Sequence, residues 1–173
     1  MSVTPSKFCV VCFLLIVFFN LSSFCVYGQE DFSQIAQHIE CGKVEFSTIA
    51  KEFYSGLNKK ENLVISNQKD WEKIWGKIYS IRFPQPKCPK VDFKKEIIIG
   101  LFAGEFYSGG YNIEATEVKK TLCSLEIKVK FVSPGPSCGV TSALSQPLHL
   151  IKIRKTKKKI VFEQKNQITN CNE

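Results

Sequence analysis

Apolar and polar residues alternate strictly from Leu125 to Phe131, with Leu125, Ile127, Val129 and Phe131 on one side and Glu126, Lys128 and Lys130 on the other. A period of two marks a strand with one buried and one wet face. Tyr111, Ile113 and Ala115 alternate with Asn112, Glu114 and Thr116 in the same way. The run from Ile97 to Phe106 is almost wholly apolar instead, which predicts a strand covered on both faces. Within it, Gly100 and Gly104 mark places where another backbone or a bulky ring comes close. Leu148, Leu150 and Ile153 begin a further strand, and Ile160 to Phe162 form the last. Upstream, Phe46, Ile49 and Phe53, then Leu63-Val64-Ile65, predict two short strands joined as a hairpin through the polar turn Asn58-Lys59-Lys60.

One segment changes period. In SNQKDWEKIWGKIY, Trp71, Ile74, Trp75 and Ile78 recur at helical spacing, Asn67 stands at the N-cap position and Asp70 in the first turn. A one-sided apolar stripe on a short helix is the face that packs on a sheet, so the tryptophans are expected in the core rather than on a ligand. The following FPQPKCPKVDF carries Pro84, Pro86 and Pro89 and reads as an irregular crossing loop. Together these elements predict an α+β fold, a mostly antiparallel β meander of about six or seven strands with one helix packed on it.

The N-terminus follows different rules. Lys7, the apolar run Phe8 to Phe19 and the small-residue end Val26-Tyr27-Gly28 read as a secretory signal peptide over residues 1–28. That run is too short for the roughly 20 residues a membrane-crossing helix needs, so no stable membrane insertion is expected. Residues 29–43 read as a loosely ordered lead-in, and residues 44–173 as a single β-rich domain. The expected location is extracellular. N-terminal sequencing should find a chain beginning at or near Gln29 and carrying no N-glycan, because the one N-x-[ST] site, Asn20-Leu21-Ser22, lies inside the leader. A chain that begins at Met1 would contradict this.

Secretion makes disulfides available. Cys41, Cys88, Cys123, Cys138 and Cys171 remain after removal of the leader, with no C-x-x-C pair among them. In a meander, the loop holding Cys88 and the turn ending in Cys123 share one edge, while Cys138 and the tail carrying Cys171 share the other. The expected bridges are therefore Cys88–Cys123 and Cys138–Cys171, with Cys41 the competitor for Cys171 and otherwise the odd thiol.

The chain of 173 residues has a net charge of +8, of which the leader contributes only Lys7. Arg82 and Arg154 are the only arginines among its 24 basic residues, so bidentate reading of bases or phosphates is poorly served and nucleic acid is not the expected partner. The densest cluster, Lys152 to Lys159, lies between two apolar alternations and reads first as a solvated hairpin turn, with an anionic glycan, lipid headgroups or an acidic partner protein as what it would otherwise suit.

Between the strands at 97–106 and 111–118 lies Ser108-Gly109-Gly110-Tyr111. Phosphate-binding glycine loops open onto a helix, whose N-terminal amides and dipole hold the anion. These glycines open onto a strand, so they predict a tight hairpin turn in which both adopt positive φ. Catalysis finds little support: His38 and His149 are the only histidines. A set of Ser108 or Cys138 with His149 and Asp92 lacks any local signature, and neither a metal nor a cofactor is expected.

Three blocks occur in order: SGLNKKENLVISNQKDWEKIW, then PKVDFKKEIIIGLFAGEFYSGGYNIEATEV, then VSPGPSCG with SQPLHLIKI. Over Ser55 to Ile153 this series resembles the PrcB C-terminal domain family, named after a protease-complex subunit. Its most specific parts are Val91-Asp92-Phe93, the glycine turn ending in Tyr111, and the loop Pro134-Gly135-Pro136. The resemblance implies a secreted accessory module without catalytic residues, which binds or stabilises a protein partner such as an extracellular protease. Ser108 stands where the family's turn commonly has Thr. Ser108, Gly109, Gly110, Tyr111, Pro134, Gly135 and Pro136 are the candidate binding residues. A different class of function also fits two loops on a rigid sheet, namely wedging into a protease cleft as inhibitors of the chagasin type do with a glycine-containing hairpin loop.

Overall fold

The computed structural model describes residues 41–171; the leader and nearly all of the lead-in lie outside them. The chain forms β1 (Gly42–Lys43), β2 (Ser47–Glu52), β3 (Lys60–Ile65), α1 (Gln68–Ile78), β4 (Glu96–Ala103), β5 (Asn112–Lys120), β6 (Ser124–Pro134), β7 (Leu148–Arg154) and β8 (Lys159–Thr169). They build two four-stranded sheets, one in the order β1-β5-β6-β8 and the other β2-β7-β4-β3. The expected single meander is therefore corrected to three layers: sheet, sheet, helix.

The layers explain the hydrophobic patterns. From β4, Ile97, Ile99 and Leu101 join Ile151 and Ile153 of β7 and face Ile113, Val118, Leu125, Ile127 and Val129 of the other sheet. The alternate residues Ile98 and Phe102, with Leu148 and Leu150, face Trp71, Trp75 and Ile78 of the helix. A strand sandwiched between a sheet and a helix has no wet face, which is why β4 reads as a continuous apolar run. At Gly100 a Cβ would come within 2.7 Å of the Phe102 ring, the close approach its position predicts.

Three expected hairpins are absent, one because its strands are separated within a sheet and two because successive strands change sheets. β2 pairs with β7 and β3 with β4, so β2 and β3 occupy opposite edges of one sheet. β4 and β5 lie in different sheets, so the glycine turn is a crossing between layers. β7 and β8 likewise part company, and β8 returns parallel to β6 from Ser124↔Lys159 to Pro134↔Thr169. The basic cluster is thus an inter-sheet corner. Phe53, read as an inward strand residue, falls beyond the end of β2 and is 68% exposed.

The cysteines follow the corrected topology. Cys138 and Cys171 form a disulfide, since β6 and β8 end side by side and carry both to one edge. Closing this loop contributes about 3–4 kcal/mol in the chain-entropy view. Cys88 and Cys123 are free thiols, as is Cys41. Cys88 packs beside the helix cluster, whereas Cys123 sits at the β5–β6 tip of the other sheet, so the meander argument for joining them does not hold. Burial, with Glu72 nearby, pushes the Cys88 thiol pKa up. Peptide mapping without reduction should return Cys138–Cys171 and no Cys88–Cys123 peptide; recovery of the latter would overturn the two-sheet order.

Candidate functional site

The loops predicted to bind meet at one end of the sandwich. β4 ends at Ala103 and the chain turns away at Gly104, whose φ is +86° and whose absent Cβ leaves room for the Lys60 amide. Phe106 and Ser145 then exchange two backbone hydrogen bonds of 2.9 and 2.8 Å. The Gly109 amide donates to the Thr141 carbonyl at 3.0 Å, and the Ser145 hydroxyl to the Ser108 carbonyl at 2.6 Å. These bonds lay the glycine turn sideways against residues 134–145.

Of the two turn glycines only Gly110 holds positive φ, at +92°, which corrects the expectation for Gly109. Gly109 is needed for space: a Cβ there would stand 2.5 Å from the Thr141 hydroxyl. At Gly110 a Cβ would lie 3.0 Å from the Pro134 ring and 3.3 Å from Val140. Gly110→Val should therefore cost about 1–3 kcal/mol, from a β-branched residue in a disfavoured region as well as the crowding. Ser108→Ala should leave stability nearly unchanged, and thermal melts of the two variants check both.

The second loop is held as firmly. Pro134 is the last residue of β6 rather than a loop residue. The Gly135 amide donates to the Thr169 carbonyl at 2.9 Å, and a Cβ on Gly135 would stand 2.6 Å from that same oxygen, so only glycine fits. The Cys138 amide donates back to the Gly135 carbonyl at 3.0 Å, and the disulfide locks the turn to the tail. Pro136 is exposed. Tyr111 does not face a ligand freely: its ring stacks on Phe106 at 3.8 Å, with Phe131 behind and the Lys60 ammonium 5.4 Å over Phe131.

Phe53, Tyr54, Gly109, Gly110, Tyr111 and Leu144 help to line a groove of 340 Å³ at this end. Phe53 is 68% exposed, and Tyr107, Val140 and Leu144 from neighbouring loops and Ile168 from the end of β8 add further exposed apolar surface. Periodicity reads Phe53 as core and gives no signal for Val140 or Leu144. Under the rim, Gln146 is buried, its amide nitrogen donating to Asn58 at 3.0 Å and to Glu105 at 2.6 Å. Its main-chain amide donates to the Phe53 carbonyl at 2.8 Å. Gln146 thus ties together the β2 end, the β3 approach and the β4 exit, which is the framework that carries both loops.

The candidate catalytic set is not brought together. Asp92 precedes β4 and Ser108 follows it, so they stand at opposite ends of that strand. His149 is buried between the sheets, its Nδ1 accepting from the Ala115 amide at 2.9 Å and its Nε2 2.9 Å from the Thr48 hydroxyl. Burial, reinforced by Lys51 and opposed by Glu114, pushes its pKa down to about 4. Both ring nitrogens are therefore occupied by structural bonds. Among the described residues no group of three or more His, Cys, Asp or Glu side chains could hold a metal ion.

No curated protein and no solved structure matches the chain. The stretch that runs from β4 through the glycine turn, β5, β6 and the proline-glycine loop to the end of β7, residues 97–154, matches the model of the PrcB C-terminal family.

Proposed function

We propose that this chain is a non-catalytic accessory module whose loop end associates with and stabilises a protein partner, and that the partner is an extracellular protease. The observation that carries the reading is one groove walled by the glycine turn and by residues 141–145 and rimmed by exposed Phe53 and Leu144, with Pro134 of the proline-glycine loop packed behind Gly110. The match to a family named after a protease-complex subunit supports the choice of partner. Contiguous apolar surface on otherwise hydrophilic loops is the composition of an interaction site. Backbone hydrogen bonds and the Cys138–Cys171 bridge hold these loops before any partner arrives, so association orders little additional chain.

A wedge-type inhibitor uses the same parts differently, since its turn must stand free to enter a cleft. Here Gly109 and Gly110 lie against Thr141, Pro134 and Val140 and form the wall of a groove, which suits reception of a partner's segment better than insertion into one.

The test titrates the purified protein into papain-like and subtilisin-like proteases and follows activity with time. Retention of activity against autolytic decay, lost when Leu144→Asp or Phe53→Ser is used, is the expected result. A stoichiometric fall in activity would favour the inhibitor instead, and indifference of every protease would remove proteases as the partner class.

A further inference from the structure

The opposite end of the sandwich carries a different surface. The β5–β6 turn closes through Thr121 and Ser124, whose backbone bond of 2.9 Å leaves Leu122 and Cys123 at its tip, with Leu122 60% exposed. Register places lysines around that leucine: Lys43 lies opposite Lys119 on one side, and Ser124 lies opposite Lys159 on the other. Lys158 reaches across, its ammonium donating to the Thr121 and Leu122 carbonyls at 2.8 and 2.5 Å. The corner continues into a concavity of 720 Å³ lined by Lys94, Lys95, Arg154 and Lys155 with Asp92 and Glu96.

Part of this charge is committed locally. Lys152 pairs with Glu96 at 3.0 Å, and Lys155 donates to the Phe93 carbonyl at 2.7 Å. Arg154, Lys157 and Lys159 are exposed and form no ion pair among the described residues. What remains is an apolar side chain projecting from the centre of a basic rim.

We propose that this end docks on an anionic lipid surface, with Leu122 entering the headgroup layer and the surrounding cations lying on lipid phosphates and carboxylates. Lysines near such a surface contribute one by one and by charge alone, without bidentate geometry. The leucine decides between occupants: an apolar side chain gains from the acyl boundary but gains nothing from a sulfated polysaccharide, which would be served by the cations alone. Docking in this pose directs the loop end away from the membrane. The proposal stands independently of the partner proposed for that end.

Vesicle co-sedimentation tests it, comparing phosphatidylcholine alone with phosphatidylcholine containing about 30% phosphatidylserine at about 0.15 M salt. The readout is the increment over neutral vesicles, so any contribution of the apolar N-terminal run cancels. The purified protein should show a clear increment that high salt removes. Combined Arg154→Ser, Lys157→Ser and Lys159→Ser should reduce it by about tenfold or more, and Leu122→Ser by about threefold or more. The charge-matched control Lys69→Ser, Lys73→Ser and Lys77→Ser, on the exposed face of α1, should change it by less than about twofold; circular dichroism confirms that each variant is folded. Equal loss in the helix control would show that only net charge matters. An unchanged Leu122→Ser variant, or heparin binding that displaces vesicles without regard to Leu122, would assign the surface to soluble polyanions. Either result overturns the proposal.

Discussion

Replacing His149 by alanine should lower stability at neutral pH by about 2–4 kcal/mol, because it empties the buried space of the ring and leaves a main-chain amide between the sheets without its partner. That amide belongs to Ala115, whereas the Thr48 hydroxyl, on an exposed residue, would turn to water. The local backbone is irregular on both sides of this imidazole. β5 slips register between Ala115 and Glu117 against β6, and β2 slips between Thr48 and Ala50 against β7. Each irregularity disturbs a ladder at the point where His149 bonds across, and such bulges commonly re-aim backbone groups. His149 therefore joins an edge strand, its own strand and the facing sheet.

The same bonds set a pH dependence. In the unfolded chain the imidazole has its ordinary pKa of 6.5, and in the folded protein about 4. As pH falls through 6.5 the unfolded chain takes up a proton that the folded chain refuses until about 4. The contribution present in full above 6.5 is lost across that window, by up to about 3 kcal/mol. The groups facing the ring reinforce the direction in sum: Lys51 opposes protonation, while Glu114, which favours it, is itself paired with Lys51 and lies 4.0 Å from Lys130. Glu114 contributes its own loss at lower pH, since the hydrogen bond from Lys51 holds its carboxyl below the usual range. Comparison with His149→Gln separates the two, because a glutamine can accept from Ala115 and donate to Thr48 without titrating. Urea midpoints measured from pH 7 to pH 4 should fall less steeply in the glutamine variant. Parallel profiles would show that the imidazole is not the group responsible.

Strand existence was legible because each buried face writes its period into the chain, as in Leu125 to Phe131. Strand pairing was not. Whether Ile113 faces its own sheet's helix or a second sheet leaves the alternation unchanged, so one meander and two stacked sheets read alike. The clue lay in β4, whose lack of any wet face requires cover on both sides, and a single helix on one side leaves the other to be covered by a further layer. The end of β8 was invisible for a different reason. After Phe162 the residues Glu163 to Gln167 are polar and, apart from half-buried Gln164, exposed on an edge strand, held by the ladder to β6 rather than by burial. At the loop end, glycines and prolines marked both turns, because backbone geometry demands those residues. The apolar rim left no such mark, since the pattern assigns Phe53 to the core and Leu144 follows no period, while both are exposed.

Trp71→Ala should be the most destabilising of the substitutions considered, at about 3–5 kcal/mol, by opening a cavity between α1 and its sheet. The residue is fully buried, meets Trp75 edge-on at 5.1 Å and lies among Ile98, Phe102 and Leu150. Helical periodicity assigns it to the core, and the structure gives its indole a second task. The Trp71 Nε1–H donates to the Pro89 carbonyl at 2.9 Å, and the Trp75 Nε1–H donates to the Pro86 carbonyl at 2.8 Å. Proline supplies no N–H, so a segment with three prolines cannot secure itself through a regular ladder. The two indoles take over that function and fix the path by which the chain leaves the helix and enters β4. Trp71→Phe separates the tasks, since it keeps most of the apolar volume and deletes the donor. It should cost only about 1–2 kcal/mol, yet expose the loop: trypsin should cut after Lys87 and Lys90 several-fold faster than in the unsubstituted protein under conditions where both remain folded. Trp71→Phe with unaltered cleavage at these lysines would mean that packing alone, and not the indole bond, holds the proline segment in place.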